Sequence, residues 1–191
     1  MRTFVACVAG LWVLLIPAAA RADWLFTPAA SYPFAGDTVD RNRPAYGFSF
    51  GFLDEEGFGV EADLGYAPRF FDGRRADFNG SGSVLTLMGN LFVTAGRQRI
   101  APYLVGGAGY LQMHVTSDAG TFRTTTRELG YNGGGGVIAA LTDVVGLRGD
   151  LRYFRSFQNQ RPSWTRNVEA DIAPSNFDFL RASVGLTIRV P

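Results

Sequence analysis

The sequence has no lysine; all 18 of its basic residues are arginine, a usage read here as genome composition rather than function. It has one cysteine and one histidine. The cysteine, Cys7, sits in an apolar N-terminal stretch, so no disulfide framework and no thiolate zinc site can form. A lone histidine, His114, leaves no donor set for a transition metal. No cofactor motif stands out either: Gly133–Gly136 is followed by no Lys-Ser/Thr pair and opens no helical pattern, which excludes a phosphate loop. Seventeen acidic residues nearly balance the arginines, and the formal net charge is +1. No strong field favours nucleic acid, which is discounted as a partner. After residue 22 no apolar run approaches the ~20 residues of a membrane-spanning helix.

The first 22 residues read as a secretory signal. Met1-Arg2 supplies a positive start, Phe4 to Ile16 an apolar stretch, and Pro17 ends it. Ala20-Arg21-Ala22 places small residues where a signal peptidase reads them, so cleavage is expected after Ala22. Losing Arg2 and Arg21 leaves 16 arginines against 17 acids, a net charge near −1.

What the rest of the chain has is glycine (24 residues), aromatics (14%) and alternation of period two. In Ala45–Leu53, Tyr46, Phe48, Phe50 and Phe52 share one face of a strand, opposite Ala45, Gly47, Ser49 and Gly51. In Phe58–Ala67, Phe58, Val60, Ala62, Leu64 and Tyr66 oppose Gly59, Glu61, Asp63 and Gly65. Asp54-Glu55-Glu56-Gly57 joins these two as a hairpin turn. The same alternation runs through Ser83–Val93, Val145–Phe154 and Leu180–Val190. Trp24–Phe34 carries Pro28 and Pro33 and reads as an irregular strand. Pro102–Met113 and Leu129–Leu141 are glycine-rich, which hides the phase of the first and suits strong curvature or close packing in the second.

These eight strands are enough to close a barrel with no unpaired edge. Short connections (Asp54–Gly57, Thr94–Ala101, Thr142–Val144) alternate with longer polar ones: Gly36–Pro44, Pro68–Gly80, His114–Glu128 and Phe157–Asn176. Short turns at one end and long loops at the other are the layout of outer-membrane barrels. The expected fold is therefore all-β: an eight-stranded antiparallel up-and-down transmembrane β-barrel over residues 23–191, preceded by a signal peptide. Tyr46, Phe52, Phe58 and Tyr66 would form aromatic belts at the two membrane interfaces.

Several segments carry a resemblance: Thr86-Leu87-Met88-Gly89-Asn90-Leu91, Pro102-Tyr103 with Gly106-Gly107-Ala108-Gly109-Tyr110, Gly133–Gly136 and Leu151-Arg152-Tyr153. In their order and spacing the chain resembles the small eight-stranded outer-membrane β-barrel family of the OmpA, OmpX and OmpW type. The resemblance covers Asp23–Pro191 and implies an outer-membrane location. It implies membrane lipids and the barrel-assembly machinery as partners, a monomeric state, and surface ligands met through the outer loops. Family members usually end in an aromatic residue, whereas this chain ends Arg189-Val190-Pro191. Either the assembly machinery accepts that ending, or it reads the apolar alternation before it.

Glu61, Asp63, Asn90, Arg148, Asp150, Arg152 and Arg181 fall on the face assigned to the lumen. An enclosed ion must be paired, so arginine forks meeting carboxylates are expected to form a polar plug. A gated ion path and a binding site are the alternatives. Glu61 and Asp63 share a face as an acid/base pair would, but structural ion networks commonly place charges so; no catalytic, metal or cofactor-binding residue is assigned. The expected function is that of a non-enzymatic integral outer-membrane protein with a structural, envelope-integrity or surface-contact role.

Two other readings compete. A secreted soluble barrel binding an apolar ligand would need the aromatics inside and the charges outside. A lipid A-modifying barrel enzyme would use His114 with a serine near the outer rim, and Thr116, Ser117 and Glu128 lie close in sequence. Thr116 occupies the place, two residues after the histidine, where the deacylase motif has serine. Cleavage after Ala22 predicts that intact-mass analysis of the membrane-inserted protein finds a chain beginning at Asp23; a mass that retains residues 1–22 contradicts the assignment.

Overall fold

A computed structural model describes residues 23–36, 43–68, 70, 80–96, 99–117, 123–157 and 177–191. The expected signal segment 1–22, and most of the expected loops 36–44, 68–80 and 157–176, lie outside the described residues.

Eight strands follow one another: β1 (Asp23–Phe34), β2 (Ala45–Leu53), β3 (Phe58–Ala67), β4 (Gly80–Thr94), β5 (Ile100–Ser117), β6 (Arg123–Ala140), β7 (Val145–Ser156) and β8 (Asp178–Val190). Each pairs antiparallel with its neighbour, and β1 pairs with β8, so the sheet closes on itself. Closure gives every strand two neighbours, which is what a β structure needs in hydrocarbon, where no water can satisfy a free edge.

The turns at one end are built locally. In Asp54–Gly57 the Asp54 carboxylate accepts the N–H of Phe58 (2.8 Å), and Asp54 N–H donates to Phe58 O (2.8 Å). Gly57 takes φ +94°, a left-handed value that glycine adopts without a Cβ clash. In the β6–β7 turn, Thr142 Oγ1 accepts the N–H groups of Val144 (3.3 Å) and Val145 (2.9 Å). This end also carries the first residues of β1 and the last of β8. It is the turn end below; the opposite one is the loop end.

The faces follow the alternation. Tyr46 (61% exposed), Phe48 and Phe50 face outward, as do Leu64, Leu87, Leu91, Leu147, Leu151, Leu186 and Ile188. Tyr46 pairs with Tyr66 near the loop end, and Phe58 faces out at the turn end, where Trp24 stacks on Phe50 (5.2 Å) and meets Phe52 edge-on (5.9 Å). This disposition overturns the soluble, ligand-binding alternative, which requires the aromatics inside.

Two expectations change. The loop expected over His114–Glu128 is mostly strand: β5 runs to Ser117, β6 starts at Arg123, and their ladder holds His114 opposite Thr125. The polar run Thr124–Thr126 reads as loop because it lacks alternation; pairing with β5 makes it strand. A bilayer needs about 9–11 residues per strand. β2 and β3 have 9 and 10, whereas β4 has 15 and β5 and β6 have 18, so these three project past the others at the loop end. Second, the inner face is not polar throughout. An apolar cluster lies near the turn end (Leu25, Leu53, Phe92, Tyr103, Val105, Ile138) and another at the loop end, which includes Phe70, Met88, Leu111, Phe154, Phe177 and Phe179.

The Gly133–Gly136 run serves two surfaces. Gly134 and Gly136 face inward, and a Cβ on Gly136 would sit 2.6 Å from Asp150 Cβ and 2.7 Å from Tyr103 Oη. A Cβ on Gly133 would meet nothing within 4 Å. Gly136→Ala is therefore expected to cost about 1–3 kcal/mol by overpacking, and Gly133→Ala to be near neutral. Thermal unfolding in detergent, followed by heat-modifiable gel mobility, checks this; equal midpoints would refute the steric account.

Candidate functional site

The candidate site is the middle layer of the lumen, between the two apolar clusters. Its side chains come from inward positions of β2–β8, because in each strand every second residue points to the interior. Glu61 and Asp63 stand two apart on β3, Asn90 on β4, Arg148, Asp150 and Arg152 at successive inward positions of β7, and Arg181 on β8. Of these seven, all but Asp150 are 5% exposed or less, and Arg152 is 1% exposed. Asp150 is half-buried as a residue, but its side chain is 7% exposed.

The structure brings them into one network. Arg148 Nη1 donates to Glu61 Oε2 (2.5 Å), and Arg152 Nη1 lies 3.0 Å from the other oxygen, Oε1. Arg152 also forks onto Asp150, with Nε to Oδ1 at 3.2 Å and Nη2 to Oδ2 at 3.1 Å. Arg181 Nη2 donates to Asp63 Oδ1 (2.7 Å), and Asp63 Oδ2 lies 3.7 Å from Arg152 Nη1. Asn90 Nδ2 donates to Glu61 Oε1 (3.3 Å). Three guanidiniums thus face three carboxylates, and Arg152 touches all three.

Sequence reasoning missed several members. Tyr103 Oη donates to Asp150 Oδ2 (2.8 Å) and accepts from Arg148 Nε (2.8 Å). Ser183 Oγ donates to Asp150 Oδ1 (2.6 Å), and Asn132 Nδ2 donates to Asn90 Oδ1 (2.9 Å). Tyr103 and Asn132 lie in the glycine-rich strands, where an inward glycine and an outward glycine look alike. Ser183 was visible: it alternates with the outward Ala182 and Val184.

The apolar layers hold the network from both sides. Arg148 Cζ lies 4.7 Å from the Tyr103 ring centroid and 6.0 Å from that of Phe92 in the turn-end cluster. Arg181 Cζ lies 4.6 Å over Phe154. Phe154 in turn stacks on Phe179 (4.9 Å, 4°), and Phe70 packs edge-on against Phe179 (5.1 Å). These are cation–π contacts in desolvated surroundings, where they are strongest. Phe177 and Phe179 follow from running the β8 alternation two steps back past Leu180. Phe70 carried no comparable signal.

Chemically, the layer is an ion cluster whose members are almost wholly shielded from solvent. No group of three or more metal-binding side chains occurs among the described residues. His114 lies elsewhere, at the loop end, with Nδ1 2.9 Å from Thr125 Oγ1 on the adjacent strand. Glu128 occupies the opposite parity of β6 from Thr125, so the sheet separates it from His114.

A family model described as outer membrane protein beta-barrel domain matches residues 8–187. No curated protein matches the chain in sequence. Among solved structures, the chain is similar to Neisserial surface protein A (NspA), with 14% identity, TM-score 0.60, and 88% of this chain and 97% of that one covered. The N-terminal β-barrel domain of Pseudomonas aeruginosa OprF matches at 13% identity and TM-score 0.58, covering 89% and 98%. A major outer membrane protein from Thermus thermophilus matches at 14% identity and TM-score 0.60, covering 88% and 99%. These likenesses speak to the fold.

Removing one partner of a buried ion pair leaves an uncompensated charge and costs about 3–5 kcal/mol. Arg152→Leu is expected to lower the thermal unfolding midpoint in detergent markedly. Adding Asp150→Asn to Arg152→Leu should recover part of the loss, because Asp150 loses its two-pronged guanidinium partner while Glu61 and Asp63 keep Arg148 and Arg181. Additive losses in this double-mutant cycle would show that the two groups are not coupled.

Proposed function

The chain belongs to the outer membrane protein beta-barrel domain family, and from that premise we propose that this integral outer-membrane barrel is non-enzymatic, monomeric and closed to solutes, with a structural, envelope-integrity or surface-contact role. The observation that carries this reading is the filling of the lumen. An apolar layer, the charged layer and a second apolar layer follow one another along the barrel axis. A cavity in the charged layer has only about 20 Å³ open to the centre of a water molecule. Eight strands give an interior just wide enough for side chains, and here side chains occupy it.

With the interior sealed, the surfaces left for function are the outer wall and the loop end. The wall meets membrane lipids through its aromatic and aliphatic face. The projecting part of β4, β5 and β6 carries Gln112, His114, Thr125 and Arg127, with Arg127 Nε donating to Gln112 (3.1 Å). This polar extension supports contacts with ligands at the cell surface. Export through the signal at residues 1–22 and insertion by the barrel-assembly machinery complete the proposal. The apolar alternation of β8, from Leu180 to Val190, is the feature that machinery would read. A monomer agrees with a barrel whose strands all have partners within one chain.

The lipid A-modifying reading is weaker. His114 pairs with a threonine hydroxyl, and Glu128 lies on the other face of the sheet. A nucleophile–base–acid relay needs the three groups within hydrogen-bond reach of one another.

The purified protein in planar bilayers is expected to give no steady conductance, and to stay with the membrane on carbonate washing. Stable currents of porin size would remove the solute-tight reading.

A further inference from the structure

The lumen is packed unevenly. The long charged side chains spring from β3, β7 and β8, while the β1–β2 side presents Ala29, Ser31, Gly47 and Ser49. Between the two lies the cavity with about 20 Å³ open to a water centre. It is lined by Ser31, Ser49, Asp63, Arg148, Arg181 and Ser183, among others. Besides Arg152 Nη1, which faces Glu61 at 3.0 Å, three buried polar atoms of the lining residues have no hydrogen-bond partner in the protein: Ser31 Oγ, Arg148 Nη2 and Arg181 Nε. Arg148 is 3% exposed, Arg181 5% and Ser31 6%.

We propose that this cavity is a specific binding site for one internal water molecule, which joins β1 to the arginine network. Size, chemistry and charge agree. A cavity needs roughly 10–15 Å³ of such space to hold a water, and this one exceeds that without admitting a larger solute. Two of the unpartnered atoms are cationic donors, which call for an acceptor. Ser31 Oγ can accept or donate, and Asp63, which also lines the cavity, carries carboxylate oxygens. A water accepts from the guanidiniums and donates to the oxygens, reaching the two to four partners an internal water requires. A small anion would also accept, but the three arginines are already matched by Glu61, Asp63 and Asp150. An added negative charge would stand beside Asp63 and Asp150 with nothing to balance it.

The wall behind the cavity fixes the water in place. Ala29 pairs with Gly47 on one side and Gly185 on the other, so three small residues stand abreast. The same three line the lipid-facing groove beside Pro28 and Ala30. Backbone alone separates the cavity from the bilayer there, and hydrocarbon offers the water no competing partners. This inference does not depend on how the outer surface is used, so it can fail without affecting the solute-tight reading.

Gly47 gives a one-sided test, in which an undiminished midpoint is the telling result. It lines the cavity, and a Cβ on it would meet nothing closer than Leu64 O at 3.3 Å. Alanine there adds a methyl to the cavity and brings it into tight contact with the Leu64 carbonyl. In a dry cavity that methyl stabilises; in a hydrated one it displaces the water and strands the arginine donors. Gly133→Ala, with open space around its Cβ, measures the effect of alanine in a strand alone. We expect Gly47→Ala to unfold at least about 3 °C below Gly133→Ala, given what an unsatisfied buried donor costs. A Gly47→Ala midpoint equal to or above that of Gly133→Ala overturns the proposal. The crystal structure of the wild-type barrel, with a bromide soak, decides independently of any variant. A solvent peak in the cavity within hydrogen-bond distance of Ser31 Oγ and of Arg148 Nη2 or Arg181 Nε, with no anomalous bromide signal, supports it. Absent density or a bromide peak refutes it.

Discussion

Three arginines and three carboxylates share a space that eight strands leave barely wide enough for side chains, and most other features of the barrel follow from keeping that set neutral and paired. Away from water an unpaired ion is costly enough to unfold a marginal protein, so each carboxylate here meets at least one guanidinium. The inward glycines answer two kinds of crowding, a guanidinium at Gly65 and the backbone of the neighbouring strand at Gly134. A Cβ at Gly65 would collide with Arg181 and lie 2.6 Å from Thr86 Oγ1; one at Gly134 would lie 2.8 Å from Arg152 Cα. Room for the network is made by removing side chains from the facing strands.

The two apolar layers complete the same constraint. Hydrogen bonds and ion pairs strengthen as the local dielectric falls, provided every member has a partner. Phe92 and Tyr103 on one side, and Phe154 and Phe179 on the other, keep bulk water from the charges while giving the outer guanidiniums a ring face to lie on. The proposed resistance to solute passage is then a consequence of stability: the side chains that fill the lumen are those that hold its ions.

Much of this was legible in the sequence, and the parts that were not have physical reasons. Where strands alternate cleanly, as in β2, β3, β7 and β8, the lumen and lipid faces follow directly, because a one-residue slip would exchange every side chain between faces. The inward positions of Glu61, Asp63, Arg148, Asp150, Arg152 and Arg181 come from that alternation alone. Glycine has no face to show, so β5 and β6 hid Tyr103 and Asn132. Strand ends beyond the membrane escaped because Thr124–Thr126 is threonine at every position and shows no alternation, so that only its ladder with β5 reveals the strand. Partner choice was also out of reach. Arg148 meets Glu61 across 87 residues and Arg181 meets Asp63 across 118, and only barrel closure brings those strands face to face.

Closure also changes what a residue's size means. In an open sheet an inward side chain competes with its neighbours along and across the ladder. In a narrow closed barrel it competes with the wall opposite. Arg148 and Arg152 reach from β7 toward β3, and Arg181 reaches from β8 to Asp63 on the same strand. Ala29, Gly47 and Ser49 on β1 and β2 are small because the lumen volume has been taken up elsewhere, not because those strands need flexibility. A conservative exchange judged strand by strand can therefore be disruptive, as at Gly65, while a glycine facing lipid, such as Gly133, tolerates a methyl freely. For this fold the unit in which a lumen substitution has to be weighed is the whole cross-section at its height.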